Sequence, residues 1–336
     1  MKLKTLISLI VSSIFMYFAL SNVDFAEFAA SLKECNYLYL IPGVLITWFS
    51  QVIRSARWYY LLRPIKRIRF SSLFSATMIG FMANNIFPVR AGEFIRAKMI
   101  GEDEGISKTS AFATIVIERV FDGMSILLLL VVTFFAANLS QKLSPEVATN
   151  LTNAAYAVLA LYMVMIFFIL FIIYRHDKAE KVITFLLKPF PDSVTSYVNK
   201  ILESFREGLI LEKGFKNLFI ITLLSIIMWG IGAFPLYILL YGFGHPLPLE
   251  ASYVTLVMIF FATIIPAAPS NVGTFHVGVK YALTFYGLSG AISASIAVVF
   301  HMIIFLSNVV MGFLILWLKK VPIMRIKKNG AESEIS

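Results

Sequence analysis

Glu118, Arg119 and Asp122 stand inside one apolar run that begins near Lys108 and ends near Asn138. An arginine at mid-membrane costs about 2.5–3.5 kcal/mol on insertion scales, so a chain keeps one only with a partner or a task. Four-residue spacing puts Glu118 and Asp122 on one helical face, and three-residue spacing lets Arg119 pair with Asp122. Two acids against one base leave a negative charge that must meet another cation, a proton or solvent. Two readings stand side by side: a salt bridge that locks helix packing, or a charged binding site.

Further cations stand elsewhere. Arg90 and Arg96 flank Glu93 at three-residue spacings, and Asn84 and Asn85 come just before them. This pattern suits either a capped helix start with a basic face, or a cradle in which guanidinium forks and helix N-terminal N–H groups bind a phosphate. Arg54 and Arg57 lie about one turn apart beside Trp58, where simple snorkelling to the membrane interface is the plain alternative. A more distal segment is polar without being acidic, with Ser270, Asn271, Thr274 and His276. His301 sits inside the last apolar run. It is either a satisfied polar group or, next to Glu118 or Asp122, a proton relay. Lys280 either snorkels or meets a phosphate. The substrate-binding candidates are therefore Arg54, Arg57, Asn84, Asn85, Arg90, Glu93, Arg96, Glu118, Arg119, Asp122, Asn271, His276 and His301. No catalytic residue and no metal ligand set stands out, because four histidines and one cysteine are too few for a convincing zinc site.

The elements that must hold these residues are membrane helices. The chain is 59% hydrophobic and 14% charged over 336 residues, which excludes an ordinary soluble domain. Six apolar runs of roughly spanning length lie near 4–20, 37–62, 107–137, 150–174, 216–242 and 290–318. The first run reads as a retained helix, since no small-x-small cleavage site follows near Asn22. The single cysteine, Cys35, permits no internal disulfide. The +10 net charge is better explained by topology than by nucleic acid. With the N-terminus inside, Lys2, Lys4, Arg63, Lys66, Arg67, Arg69, Lys108, the bases of 178–213 and the tail after Lys319 are all cytoplasmic. Only Lys33 and Lys142 remain outside, which is the positive-inside asymmetry. Both termini are thus expected in the cytoplasm of a cell-membrane protein.

Two shorter apolar stretches are broken in the same way. Residues 81–94 read FMANNIFPVRAGEF and residues 262–275 read ATIIPAAPSNVGTF, with Pro88, Gly92 and Phe94 matching Pro269, Gly273 and Phe275 at an offset of 181. Trp48 matches Trp229, and Gly105-Ile106-Ser107 matches Gly287-Leu288-Ser289 at 182. Non-helical backbone at membrane depth survives only when buried in protein or lining a wet cavity. Paired broken segments in two halves are the usual pointer to a transporter's site. The expected fold is an all-α polytopic membrane protein with about six transmembrane helices and two re-entrant broken segments in two inverted-topology repeats. One membrane domain fills 1–336. The first repeat covers 1–140 with its broken segment at about 70–100, and the second covers 150–320 with its own at about 250–286. A cytoplasmic amphipathic connector at 176–215 and a basic tail at 321–336 complete it. With three spans between them, the two broken segments enter from opposite faces if each dips in and returns to its own side.

R-x-x-R-W at 54–58, F-x-x-N-x-x-x-P-x-R-x-G-E-x-x-R at 81–96, E-R-x-x-D at 118–122 and P-x-x-x-G at 269–273 together resemble the lysylphosphatidylglycerol synthase transmembrane region, also called the flippase-like family. The resemblance runs in order along nearly the whole chain. It implies a domain that moves or presents lipids, with an anionic phospholipid or a polyprenyl-phosphate lipid as partner. Where relatives are Gly-rich at the second motif, this chain has Ser270-Asn271-Val272. The leading expectation is a non-enzymatic flippase that passes a headgroup through a charged midplane cavity, with Arg90, Arg96 and Arg119 binding phosphate. No G-x-x-x-x-G-K-[ST] loop is present, so no nucleotide cofactor is expected. No nucleic-acid partner is expected either, and homo-oligomerisation is left open. The rivals are a membrane-embedded transferase on a lipid-linked substrate and a non-transporting partner in envelope assembly.

Overall fold

The computed structural model describes residues 3–87, 91–136, 214–265 and 268–319, with scattered helical positions between 149 and 185. The run at 150–174 and the connector at 176–215 lie largely outside the described residues. The basic tail and the segment Pro88–Arg90 lie wholly outside them. Every regular element among the described residues is helical. Three helices there are long and apolar enough to cross a membrane: Tyr37–Leu62, Lys216–Gly242 and Gly290–Lys319. A fourth crossing is counted if Ser8–Leu20 and Phe25–Glu34, bent by 85°, form one span. The described residues are thus all-helical in their regular structure and carry several apolar helices, as a multi-pass membrane protein does.

The described residues gather into two compact units. The first comprises Met1–Val52, Ser75–Arg96 and Gly230–Ser336. It opens with α1 (Leu3–Leu20) and α2 (Phe25–Glu34). Asn22 at φ 56 turns the chain, and the Asp24 carboxylate caps α2 by accepting from the Ala26 and Glu27 N–H groups at 2.8 and 3.2 Å. A 3-10 turn (Tyr37–Tyr39) leads into α3 (Leu40–Leu62). The end of α4 (Phe70–Ile86) and the start of α5 (Ala91–Glu104) belong here too. So do four later helices: α8 (Phe234–Gly242), α9 (Leu249–Ala262), α10 (Thr274–Phe285) and α11 (Gly290–Lys319). Their inward faces supply the core, with Leu236, Leu239, Ile259, Phe275, Val279, Leu283, Ile296 and Phe300 in one cluster. Outward faces stay apolar as well: Tyr17 is 70% exposed and Trp317 75%, as expected of surface that meets lipid rather than water.

Both broken segments are helix–break–helix hairpins within this unit. In the first, the Asn84 side chain accepts from the Gly92 N–H at 2.8 Å, so α5 folds back on α4. A Cβ on Gly92 would sit 1.9 Å from the Gly80 carbonyl oxygen, so only glycine lets the two backbones meet. In the second, α9 and α10 pack where a Cβ on Gly278 would lie 3.1 Å from the Ile259 backbone. Between them a 3-10 turn, Pro269–Asn271, holds Ser270 and Asn271 at φ 61 and 55. Gly273 follows at φ 92, a conformation that favours glycine, and a Cβ there would meet Ser12 O of α1 at 2.5 Å. The two matched glycines therefore serve different ends: close helix approach at Gly92, and a turn against α1 at Gly273.

The second unit comprises Ile53–Phe74 and Ala97–Trp229. It holds the end of α3, the end of α5, α6 (Lys108–Ala136) and most of α7 (Gly214–Ile231). Trp58 is fully buried and donates to Thr114 Oγ1 at 2.9 Å, tying α3 to α6. Ser107 caps α6 by accepting from the Ser110 N–H at 3.4 Å, just after Gly105 at φ 67. In the first unit Ser289 caps α11 through the Ile292 N–H at 3.1 Å, just after Gly287 at φ 90. The sequence match between these tripeptides is thus a match of local structure.

Candidate functional site

In the second unit, Asp122 is the hub of a charge cluster. One carboxylate oxygen accepts from Arg57 at 2.7 Å and from the Trp229 indole N–H at 3.0 Å. The other lies 3.2 Å from Arg54 and 3.2 Å from Arg119. A carboxylate offers about four lone-pair sites, so Asp122 is saturated. Arg57 also reaches Glu118 at 3.7 Å and Ser225 Oγ at 2.9 Å. The helical spacing explains the arrangement: Glu118 and Asp122 share the face of α6 that meets α3, while Arg119 turns beside them. Exposure is graded across the cluster. Arg57 and Glu118 are fully buried, the Arg54 side chain is 12% exposed and the Arg119 side chain 36%. Three guanidinium groups thus surround two carboxylates, and the cationic side is the one that opens outward.

In the first unit, the two helix breaks meet. Ser270 Oγ donates to Asn85 Oδ1 at 2.7 Å, which ties the 3-10 turn to the end of α4. Asn85 is oriented by its own amide, which donates to the Phe81 carbonyl at 2.8 Å. His301 Nε2 of α11 lies 2.9 Å from both Ser270 Oγ and the Ser270 carbonyl. His276 stacks edge-on to His301 with ring centroids 4.8 Å apart, and its Nδ1 accepts from the Gly273 N–H at 3.4 Å. Ser12 of α1 holds the other side of the turn by accepting from the Ala268 N–H at 2.6 Å. Both imidazoles are buried, at 6% and 3% exposure, while Asn85, Ser270 and Asn271 are half-buried.

Several residues take places other than those their types suggest. Arg57 does not snorkel; it is the buried member of the α3–α6 pair. The negative charge left over on α6 is met by the arginines of α3. His301 takes the first of its two readings, a satisfied polar group that bonds Ser270 and stacks on His276. Lys280 neither snorkels nor stands open to a phosphate: it is buried and donates to the Phe18 and Ser21 carbonyls of α1 at 3.2 and 2.7 Å. Asn84 is engaged in holding α5, and Arg96 is buried with its stem over Gly80, while Glu93 is half-buried. Arg90 lies outside the described residues. Trp229, Ser225 and Ser12 join these clusters without having been among the candidate site residues. Trp229 had a signal, because an indole N–H in an apolar run must find an acceptor. Ser225 and Ser12 had none.

The family described as the lysylphosphatidylglycerol synthase TM region matches residues 5–312. A UPF0104 membrane protein of Methanocaldococcus jannaschii is 23% identical over 97% of this chain and 98% of its own length. A UPF0104 membrane protein of Methanothermobacter thermautotrophicus is 22% identical over 93% and 94%. A protein named glycosyltransferase AglD, from Haloferax volcanii, is 24% identical over 76% of this chain but 44% of its own length. No solved structure matches the chain.

Proposed function

This chain belongs to the lysylphosphatidylglycerol synthase transmembrane-region family, and from that premise we propose that it carries an anionic phospholipid or polyprenyl-linked headgroup from one membrane leaflet to the other. The observation that carries this reading is the meeting of two interrupted helices, through Ser270 and Asn85, in one compact unit. Such irregular backbone persists at membrane depth where it is buried in protein or lines a wet cavity, and paired breaks in two halves suit a transporter's polar pathway. Arg119 is the principal phosphate ligand, because its side chain is held by Asp122 and, at 36%, is the most exposed of the three arginines. Arg54 assists from α3. A planar guanidinium takes a phosphate through two parallel hydrogen bonds while the lipid tails stay in the bilayer. Arg57, Glu118 and Asp122 hold the cationic side in position, and Asp122, with every lone pair taken, acts as counter-charge rather than as a base.

The reading extends to architecture. In both halves a long apolar helix is followed by a broken hairpin and then by a helix of 29 or 30 residues. Trp229 of α7 bonds α6, while Trp48 of α3 bonds the Ser307 carbonyl of α11 at 3.0 Å. This exchange of indole bonds between halves is what two related repeats would produce.

The test is leaflet exchange of fluorescent anionic phospholipid in liposomes that hold the purified protein. The parent exchanges lipid, and Arg119→Ala slows exchange at least tenfold while melting like the parent. Exchange at the parental rate in Arg119→Ala overturns the assignment of the phosphate ligand. A second reading, a transferase on a lipid-linked substrate, is favoured by the similarity to the glycosyltransferase of Haloferax volcanii. Chemical alteration of the supplied lipid, seen by mass spectrometry, would select it.

A further inference from the structure

The hydrogen-bond directions at the junction of the two breaks leave one place for an added proton. Asn85 spends its amide N–H on the Phe81 carbonyl, so its oxygen faces Ser270 and can only accept. Ser270 has one O–H and gives it to that oxygen. His301 Nε2 must therefore be the donor toward the Ser270 hydroxyl oxygen and carbonyl, and neutral His301 carries its proton on Nε2. At His276, Nδ1 accepts from the Gly273 N–H, so neutral His276 carries its proton on Nε2 too. The basic lone pairs that remain are Nδ1 of His276, already used, and Nδ1 of His301.

These two positions are not equivalent. A proton on His276 Nδ1 would set N–H against N–H, undo the Gly273 contact that starts α10, and place positive charge at a helix N-terminus. A proton on His301 Nδ1 breaks no hydrogen bond given by the described residues. It turns the contact to Ser270 into a charge-assisted one, roughly twice as strong as its neutral form. The pair takes one proton, because two imidazolium rings this close repel each other.

Phe275, His276 and Phe305 rings face His301, and Ser270 joins it to Asn85 of α4. His276 meets Phe275, His301 and the Gly273 backbone. From α1, Ser12 meets the turn at Ala268. The cation on α10 is Lys280, one turn beyond His276, with its ammonium on the α1 carbonyls.

We propose that His301 is a proton-binding site, that His276 remains neutral beside it, and that the bound proton strengthens the Ser270–Asn85 latch between the two helix breaks. The latch rests on the transport reading; the proton site does not. Acid then holds the breaks together and slows lipid movement, and proton loss releases them.

Histidine-selective 15N NMR of the protein in nanodiscs tests the site directly. As the pH is lowered, His301 gains its proton at Nδ1 and His276 does not. Titration of His276 first, or of neither ring down to pH 4, overturns the proposal. Liposome exchange at matched inner and outer pH tests the latch. Parent exchange falls several-fold from the alkaline to the acid end, His276→Gln keeps that dependence, and His301→Gln loses it. Exchange by the parent that ignores pH, or a dependence that survives in His301→Gln, overturns the latch while transport stands. Absence of exchange at every pH overturns the transport reading and with it the latch, and the NMR titration still decides the proton site.

Discussion

An Asp122→Asn substitution removes the charge that Arg54, Arg57 and Arg119 share, and sets an amide N–H against guanidinium donors. Breaking a buried ion pair from one side costs about 3–5 kcal/mol, so the purified variant should melt well below the parent in detergent. Arg119→Ala acts on the same cluster from its exposed edge. Arg119 is the most exposed of the three arginines, and its loss leaves Arg54 and Arg57 on Asp122, so the melting temperature should stay near the parent while lipid exchange falls. Equal melting of Asp122→Asn and the parent would contradict the hub assignment. Sequence spacing alone shows that Glu118, Arg119 and Asp122 can interact. It does not show that Arg57 is the buried partner, because that depends on where α3 packs.

At the scale of elements, the two broken hairpins depend on glycines of different kinds. Gly92→Ala would put a methyl group 1.9 Å from the Gly80 carbonyl oxygen, so α5 must leave α4. Loss of the folded, monodisperse protein in size-exclusion chromatography is the expected outcome. Gly123→Ala on α6 meets nothing within 4 Å and gains helix propensity of up to about 1 kcal/mol, so it should melt at or above the parent. Gly273→Ala suffers both from φ 92 and from Ser12 O at 2.5 Å, and should behave like Gly92→Ala. The breaks themselves were legible in the sequence, since proline and glycine interrupt apolar runs that a helix would otherwise cross. That the breaks touch through Asn85 and Ser270 was not legible, because those residues are 185 positions apart.

For the molecule as a whole, the charge pattern makes a topology prediction. With Cys35 replaced by alanine, a cysteine at position 33 should react with a membrane-impermeant maleimide from outside intact cells. One at position 66 should react only after the membrane is opened. The reverse pattern would overturn the orientation. By itself the sequence determined a multi-pass, all-helical membrane chain, its family, and the polar residues placed within apolar runs. Those properties follow from composition and from local periodicity, which each segment carries alone. The partners of those residues were decided only by tertiary structure. Lys280 became a clamp on the α1 carbonyls, His301 joined Ser270, and Asp122 acquired donors from three helices. Each outcome follows from the same cause: a buried polar group takes whichever complementary group packing brings within about 3 Å, and packing is a property of the whole chain.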